Sequence, residues 1–241
     1  MKKKPNKIVC LDKFINKSLY DPDLGYYMKK FPFGKSGDFI TSPNISVLFS
    51  EMILIWTLLF WESLKCPKKF NIIELGSGNG EMIYQFLNLI NKFPSFKKST
   101  NFYIIEKSNY LKKFQKERLK GFNVKWVDNL KKIKKGYNFF FGNEFLDSFP
   151  IKQFEKINDK WFEKYVEEKK GKRKLINIPI NKKKILNFDM FKNEKFIEIS
   201  YNQVDLISDI ASNINRNNGG VLFVDYGYYG KKMFNSIQCV K

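Results

Sequence analysis

One junction narrows the possible folds of this 241-residue chain more than any other feature. A nearly all-apolar stretch, Phe70–Leu75 (FNIIEL), runs into Gly76-Ser77-Gly78-Asn79-Gly80, and a helical pattern follows from Glu81 to about Lys92. Strands that are apolar on both faces belong to parallel sheets covered by helices on both sides. The same rhythm recurs. FYIIE (102–106) precedes a helix over Asn109–Lys120, FNVKWV (122–127) is a third strand and Tyr137–Gly142 a fourth. A helix over Asn202–Asn215 leads to a fifth strand, Val221–Asp225. The spacing predicts an α/β fold with an open parallel sheet.

The flanking segments read differently. Residues 1–40 are rich in Gly, Pro and aromatics, with a short helix near Leu11–Asn16. Thr41-Ser42-Pro43 starts a helix, with a hydroxyl at the cap position and Pro in the first turn. The long apolar helix from Ile45 to Leu64 reads as a core or inter-domain packing element. After strand four, IKQFEKI and WFEKYVE alternate apolar and polar residues around Asn158-Asp159, which predicts a β-hairpin projecting from the sheet. The very basic stretch Glu167–Lys184 is expected to be exposed. The organisation expected is therefore an N-terminal cap and packing helix (1–66), a core (67–150 and 195–229), an inserted hairpin and basic loop (151–194), and a tail (230–241).

Composition removes several chemistries. At 43% hydrophobic residues the chain can build a core, and it contains no histidine, so His general bases, His zinc ligands and Ser-His-Asp triads are excluded. Cys10, Cys66 and Cys239 are odd in number and form no C-x-x-C pair, which points to free thiols, a reducing compartment and no metal site. The basic N-terminus lacks an apolar stretch and a cleavage site, so no export signal is read. The run Met52–Trp61 is too short for a bilayer, which needs roughly 20 residues. A cytoplasmic protein without a membrane span is the expectation. The net charge of +20 is spread in small clumps along the whole chain and reads as solvated surface, which argues against a nucleic-acid partner.

Chemistry concentrates at the carboxyl ends of the predicted strands, where open α/β sheets bind ligands. The pattern Glu74-x-Gly76-x-Gly78-x-Gly80 differs from the dinucleotide fingerprint G-x-G-x-x-G, which would need glycine where Glu81 stands. It suits an adenosyl-methionine ligand, which has no pyrophosphate, and Ser77 lies within it. Glycines at a strand-to-helix turn let the backbone approach a ligand closely. Glu106, ending the second strand, is placed to accept from ribose hydroxyls. Asp128, after the third, could meet an adenine amino group or form a simple turn. Asn143, Glu144 and Asp147, after the fourth, would face the glycine turn; the two carboxylates could bind a cationic substrate group, or Asp147 could cap a helix. Gly34–Pro43 is, on its residues alone, a loop leading into a capped helix.

FGKSGDFITSP, ELGSGNG, NEFLDSFPIKQF, FIEIS and LFVDYGY stand in this order over about residues 18–229, and together they resemble the MidA-type methyltransferases. That family is class I and S-adenosylmethionine-dependent, and it is related to the mitochondrial arginine methyltransferase of complex I assembly. The resemblance implies a Rossmann-like class I methyltransferase sheet that binds S-adenosyl-L-methionine and methylates arginine on a protein substrate. Gly76, Gly78 and Gly80 would line the cofactor beside Glu74, and Glu106 would hold the ribose. The loop Gly37-Asp38-Phe39 would close over the site, with Glu144 the main guanidinium contact and Asp147 or Asp38 assisting. The family often carries Pro, Arg and Thr at Ser77, Asn79 and Glu81, and Glu at Asn44. It also continues past the fifth strand, so a chain lacking the family's C-terminal part is expected. An RNA methyltransferase and a non-catalytic assembly protein that keeps the fold are the competing functions.

Overall fold

A computed structural model describes residues 7–29, 31–33, 37–180, 191–227, 233 and 235–237. Gly34, Lys35 and Ser36 of the N-terminal loop, Lys182–Lys184 and most of the tail fall outside the described residues.

The chain opens with β1 (Lys7–Cys10), α1 (Leu11–Tyr20) and α2 (Tyr26–Lys29). The predicted long apolar helix is two pieces, α3 (Ser42–Ile45) and α4 (Val47–Ser63). Ser46 separates them in an extended conformation, with φ −146° and ψ 126°. The repeating unit then follows: β2 (Phe70–Leu75), α5 (Glu81–Leu89), α6 (Pro94–Ser99), β3 (Thr100–Ile105), α7 (Asn109–Arg118), β4 (Val124–Val127) and β5 (Tyr137–Asn143). Three further strands, β6 (Lys152–Ile157), β7 (Lys160–Lys169) and β8 (Lys172–Pro179), precede β9 (Phe196–Ile199), α8 (Tyr201–Asn217) and β10 (Gly219–Val224).

The expected parallel sheet is present, with order β10-β5-β2-β3-β4 and every pairing parallel. Alternate side chains enter two cores. Phe70, Ile72, Phe102, Ile104, Phe139 and Phe141 pack on one face with Leu54 and Trp61 of α4 and Phe86 of α5. Ile73, Leu75, Tyr103 and Phe140 pack on the other, against Ile210 of α8. Burial on both faces is why these strands read as unbroken apolar runs. The chain runs from β2 outward through β3 and β4, then returns to β5 on the other side of β2. The strand order therefore reverses at β2 and β5, the place where such sheets take ligands.

Helix α4, read as a core or inter-domain packing element, is covered on one side. One stripe, Ser50, Leu54, Thr57 and Trp61, is buried. A second, including Leu48 (60% exposed), Met52 (63%) and Leu59 (57%), faces outward.

The predicted hairpin exists as β6–β7, turning at Asn158 and Asp159, which both take positive φ (47° and 59°). It does not stand alone. It is the centre of a second, antiparallel five-stranded sheet. Strand β7 pairs with β8 along one edge and with β6 and then β1 along the other. Strand β9, formed by the FIEI segment expected in the core, closes the far side on β6. The basic stretch is thus largely a strand and not a loop. Lys174 and Arg173 face Glu167 and Glu168 in register and form ion pairs with them. Cross-strand charge pairing of this kind hides a strand from a hydropathy reading.

Candidate functional site

The glycine turn leaves β2 between β3 and β5 and enters α5. Gly76, Gly78 and Gly80 have φ of 65°, 54° and 77°, the left-handed region that glycine alone adopts without strain. A Cβ at Gly76 would lie 2.5 Å from the Phe145 ring, and one at Gly78 would lie 3.5 Å from the Phe33 ring. The turn is therefore bare backbone flanked by two phenyl groups.

Glu74 is buried beneath the turn and accepts a hydrogen bond from the Ser77 hydroxyl. Burial, reinforced by the charge of Glu106, pushes its carboxyl up to about 8. Asn79 is buried and donates to Asn44 Oδ1 at 2.7 Å. The two positions where the resemblance led one to expect Arg and Glu thus contact each other, and an amide pair stands there.

Glu106, one residue beyond β3, faces the turn. Its Oε1 accepts from Ser108 N at 2.8 Å and its Oε2 from Gln115 Nε2 at 3.0 Å. The same Nε2 donates to Gly78 O at 3.0 Å. Burial raises the Glu106 carboxyl, and these N–H donors oppose the rise. Gln115 is fully buried on α7, and the sequence reading passed over it. A glutamine inside a helix carries no signal of its own until its partners are known.

The carboxylate loop after β5 begins with Glu144 at φ 47°. Glu144 N donates to Val224 O at 2.8 Å, and its Oε1 accepts from Ser42 N at 3.3 Å and from Asn143 Nδ2 at 3.3 Å. The Gly37–Pro43 segment is thereby docked on the loop through α3. Asn143 Oδ1 is buried without a partner among the described residues. Asp147 is raised to about 6 by burial and by the charges of Asp225 and Glu144. Asp225, which the sequence places at the end of the fifth strand without a site role, lies one residue beyond β10. Its Oδ2 accepts from Phe145 N at 3.0 Å and from Leu146 N at 2.6 Å.

Two predicted residues stand apart. Asp38 is exposed and accepts from the Tyr26 hydroxyl of α2. Asp128 is exposed just beyond β4, and its carboxylate is held by Lys132 at 2.9 Å and Asn129 at 3.0 Å, as in a turn. The N-terminal aromatics tie the site together. The Tyr20 hydroxyl donates to Ser148 O at 3.1 Å, and the Lys107 ammonium lies 4.4 Å from the Tyr20 ring centre. The Ser108 hydroxyl donates to Tyr27 O at 2.6 Å.

The donor set fits a nucleoside carrying a cationic sulfur. The three glycines of the turn would admit a ligand at close range, the carboxylate beside it is of the kind that accepts from hydroxyls, and the Asn143 oxygen, unpartnered among the described residues, and the acids of the next loop would favour positive charge.

Comparison with known proteins agrees with this reading. The model of a family described as "Putative S-adenosyl-L-methionine-dependent methyltransferase" matches residues 52–241. The chain is 27% identical to the mitochondrial protein arginine methyltransferase NDUFAF7 of Xenopus laevis, over 93% of this chain and 58% of that protein. Its identity to the human counterpart is 25%, over 93% of this chain and 57% of the relative. A solved structure from Burkholderia thailandensis, bound to S-adenosyl-homocysteine, superposes with a TM-score of 0.76 at 20% identity. It covers 92% of this chain and 59% of that one, and it shows the same fold. The chain spans less than three fifths of the length of these relatives.

Proposed function

The chain belongs to the S-adenosyl-L-methionine-dependent methyltransferase family, and from that premise we propose that it binds S-adenosyl-L-methionine at the glycine turn and methylates arginine on a protein partner. One observation carries the proposal: a single side-chain nitrogen, Gln115 Nε2, bonds both Gly78 O and Glu106 Oε2. The turn and the acid are therefore one site, and the carboxylate loop stands beside it on the neighbouring strand.

Bound cofactor supplies an electrophilic methyl group on a sulfonium. This chain's residues supply placement. Gly76, Gly78 and Gly80 admit the ligand, Glu106 accepts from the ribose, and Asn143 offers its free oxygen. Asp128 is assigned to the adenine amino group, in exchange for Lys132. Glu144 accepts from the guanidinium, with Asp147 beside it, so that one nitrogen is fixed in line with the methyl; such alignment is the main requirement of this displacement. Asp147, raised to about 6, is mostly ionised at pH 7 and able to take the proton that the guanidinium sheds. Asp38 is assigned to the loop that meets the substrate.

The acidic lining supports a cationic peptide over a nucleic acid as substrate. The free thiols of Cys10 and Cys66 support a reducing compartment, for which we keep the cytoplasm; the curated relatives carry mitochondrial names. The test is mass spectrometry after incubation with labelled cofactor and a partner extract. Methyl-arginine on a protein is expected. Label found only on RNA or on a small molecule would refute the substrate assignment, and failure to bind cofactor at millimolar concentration would leave the non-catalytic assembly protein.

A further inference from the structure

Gln115 lies outside the sequence pattern of the site, yet it bonds two of the predicted residues, Gly78 and Glu106. Its two N–H groups reach Gly78 O and Glu106 Oε2, both at 3.0 Å, and its Oε1 accepts from Trp126 Nε1 at 2.9 Å. An amide can be turned end for end, which would point Oε1 at a carbonyl and a carboxylate. The indole N–H is a donor only, so Trp126 decides which end faces the site. Every polar atom of this fully buried side chain is used.

We propose that Gln115, oriented by Trp126, is a positioning residue for the nucleoside end of the cofactor: it clamps the glycine turn to Glu106 by donating to Gly78 O and to the Glu106 carboxylate. The proposal rests on the cofactor reading above and deepens it. Trp126 on β4 and Gln115 on α7 thereby act on a ligand that β2 and β3 hold. The other groups whose charge bears on Glu106 are Lys112, Tyr20, Tyr27 and Glu74. Lys112 favours the ionised carboxylate and Glu74 opposes it. None of these four is altered by a change at Gln115.

The experiment is calorimetric titration with S-adenosyl-homocysteine from pH 6 to 8.5, for the wild type, Gln115→Met, Trp126→Phe and the double variant. Gln115→Met is expected to weaken binding about tenfold or more at pH 7, the scale of a hydrogen bond to a charged group. It also moves the acidic loss of affinity to higher pH, because Glu106 loses a donor that favours its ionised form. A merely structural glutamine would not move that limb. Trp126→Phe, which keeps the ring, is expected to weaken binding about threefold, and the double variant to bind no worse than Gln115→Met. If Gln115→Met does not fold, Trp126→Phe decides alone, by the same shift of the acidic limb. Unchanged affinity and an unmoved limb would overturn the proposal while leaving the cofactor reading intact, and so would effects that add fully. A wild type that binds no S-adenosyl-homocysteine overturns both.

Discussion

The two halves of the site are built on opposite principles. On the β2–β3 side, Glu74, Ser77, Asn79, Glu106 and Gln115 are all buried, and hydrogen bonds tie them to one another or to neighbouring backbone and side chains. On the β5–β10 side, Glu144, Asp147 and Asp225 crowd like charges together, Glu144 takes a left-handed conformation, and an amide oxygen is left without a partner among the described residues. The first half is hydrogen-bonded within itself, whereas in the second the acids stand close together, an arrangement that on the proposed function a cation would relieve. Pre-organisation lowers the cost of binding a constant ligand. Stored repulsion favours a positively charged group that comes and goes.

The largest predicted effect comes from joining the halves badly. Gly76→Val would force a branched side chain into positive φ and into the Phe145 ring 2.5 Å away. S-adenosyl-homocysteine affinity should fall more than about a hundredfold and melting should drop by several degrees. Affinity within a few-fold of wild type would break the comparison.

Asp225→Ala should separate the halves. It strips the acceptor from Phe145 N and Leu146 N, at a cost of about 1–3 kcal/mol by denaturant unfolding. Methyl transfer should fall, while affinity for S-adenosyl-homocysteine stays within about twofold. An equal loss of both would show that the halves are a single unit.

Glu74 gives a smaller effect with a definite sign. Its carboxyl titrates near 8 in the fold against 4.5 when unfolded. The unfolded chain releases that proton first, so stability falls as pH rises from about 4.5 towards 8. Glu74→Gln should flatten this slope, by on the order of 2 kcal/mol across the window after allowance for the Ser77 bond. An unchanged slope would remove the buried acid from the account.

Asp147 provides the mildest test. The substrate half works ionised, so methyl transfer should decline as pH falls through about 6. Asp225→Asn keeps the acceptor oxygen and removes a charge, and it should lower that midpoint by up to about one unit. A rise, or no movement, would mean that Asp225 does not act on Asp147.

How much of this could be read from the chain depends on whether the signal is local. The parallel sheet is written in FNIIEL and its fellows, because burial on both faces demands continuous apolar residues. The glycine turn is written in spacing, because positive φ admits few other residues. Glu106 follows from its place one residue past a strand that faces the turn. Gln115 and Asp225 do not follow in this way. Each is an ordinary polar residue whose role lies in partners 37 and 80 positions away. The antiparallel sheet was hidden for a related reason. Its strands come from residues 7–10, 152–179 and 196–199, and its edge strand opens with Lys172, Arg173 and Lys174, of which Arg173 and Lys174 meet their opposite charges only across the ladder. Helix α4 shows the converse, since its unbroken apolar character suggested a core or inter-domain packing element without telling which side is covered, and one stripe is buried while another faces outward.

The most direct measurement is a titration of the purified chain with S-adenosyl-homocysteine, run beside Glu106→Ala and Gly78→Val. The wild type should saturate at one site below millimolar ligand, with binding weakened about tenfold or more in the first variant and abolished in the second. No saturation at millimolar ligand, or the same affinity in all three proteins, would contradict the account.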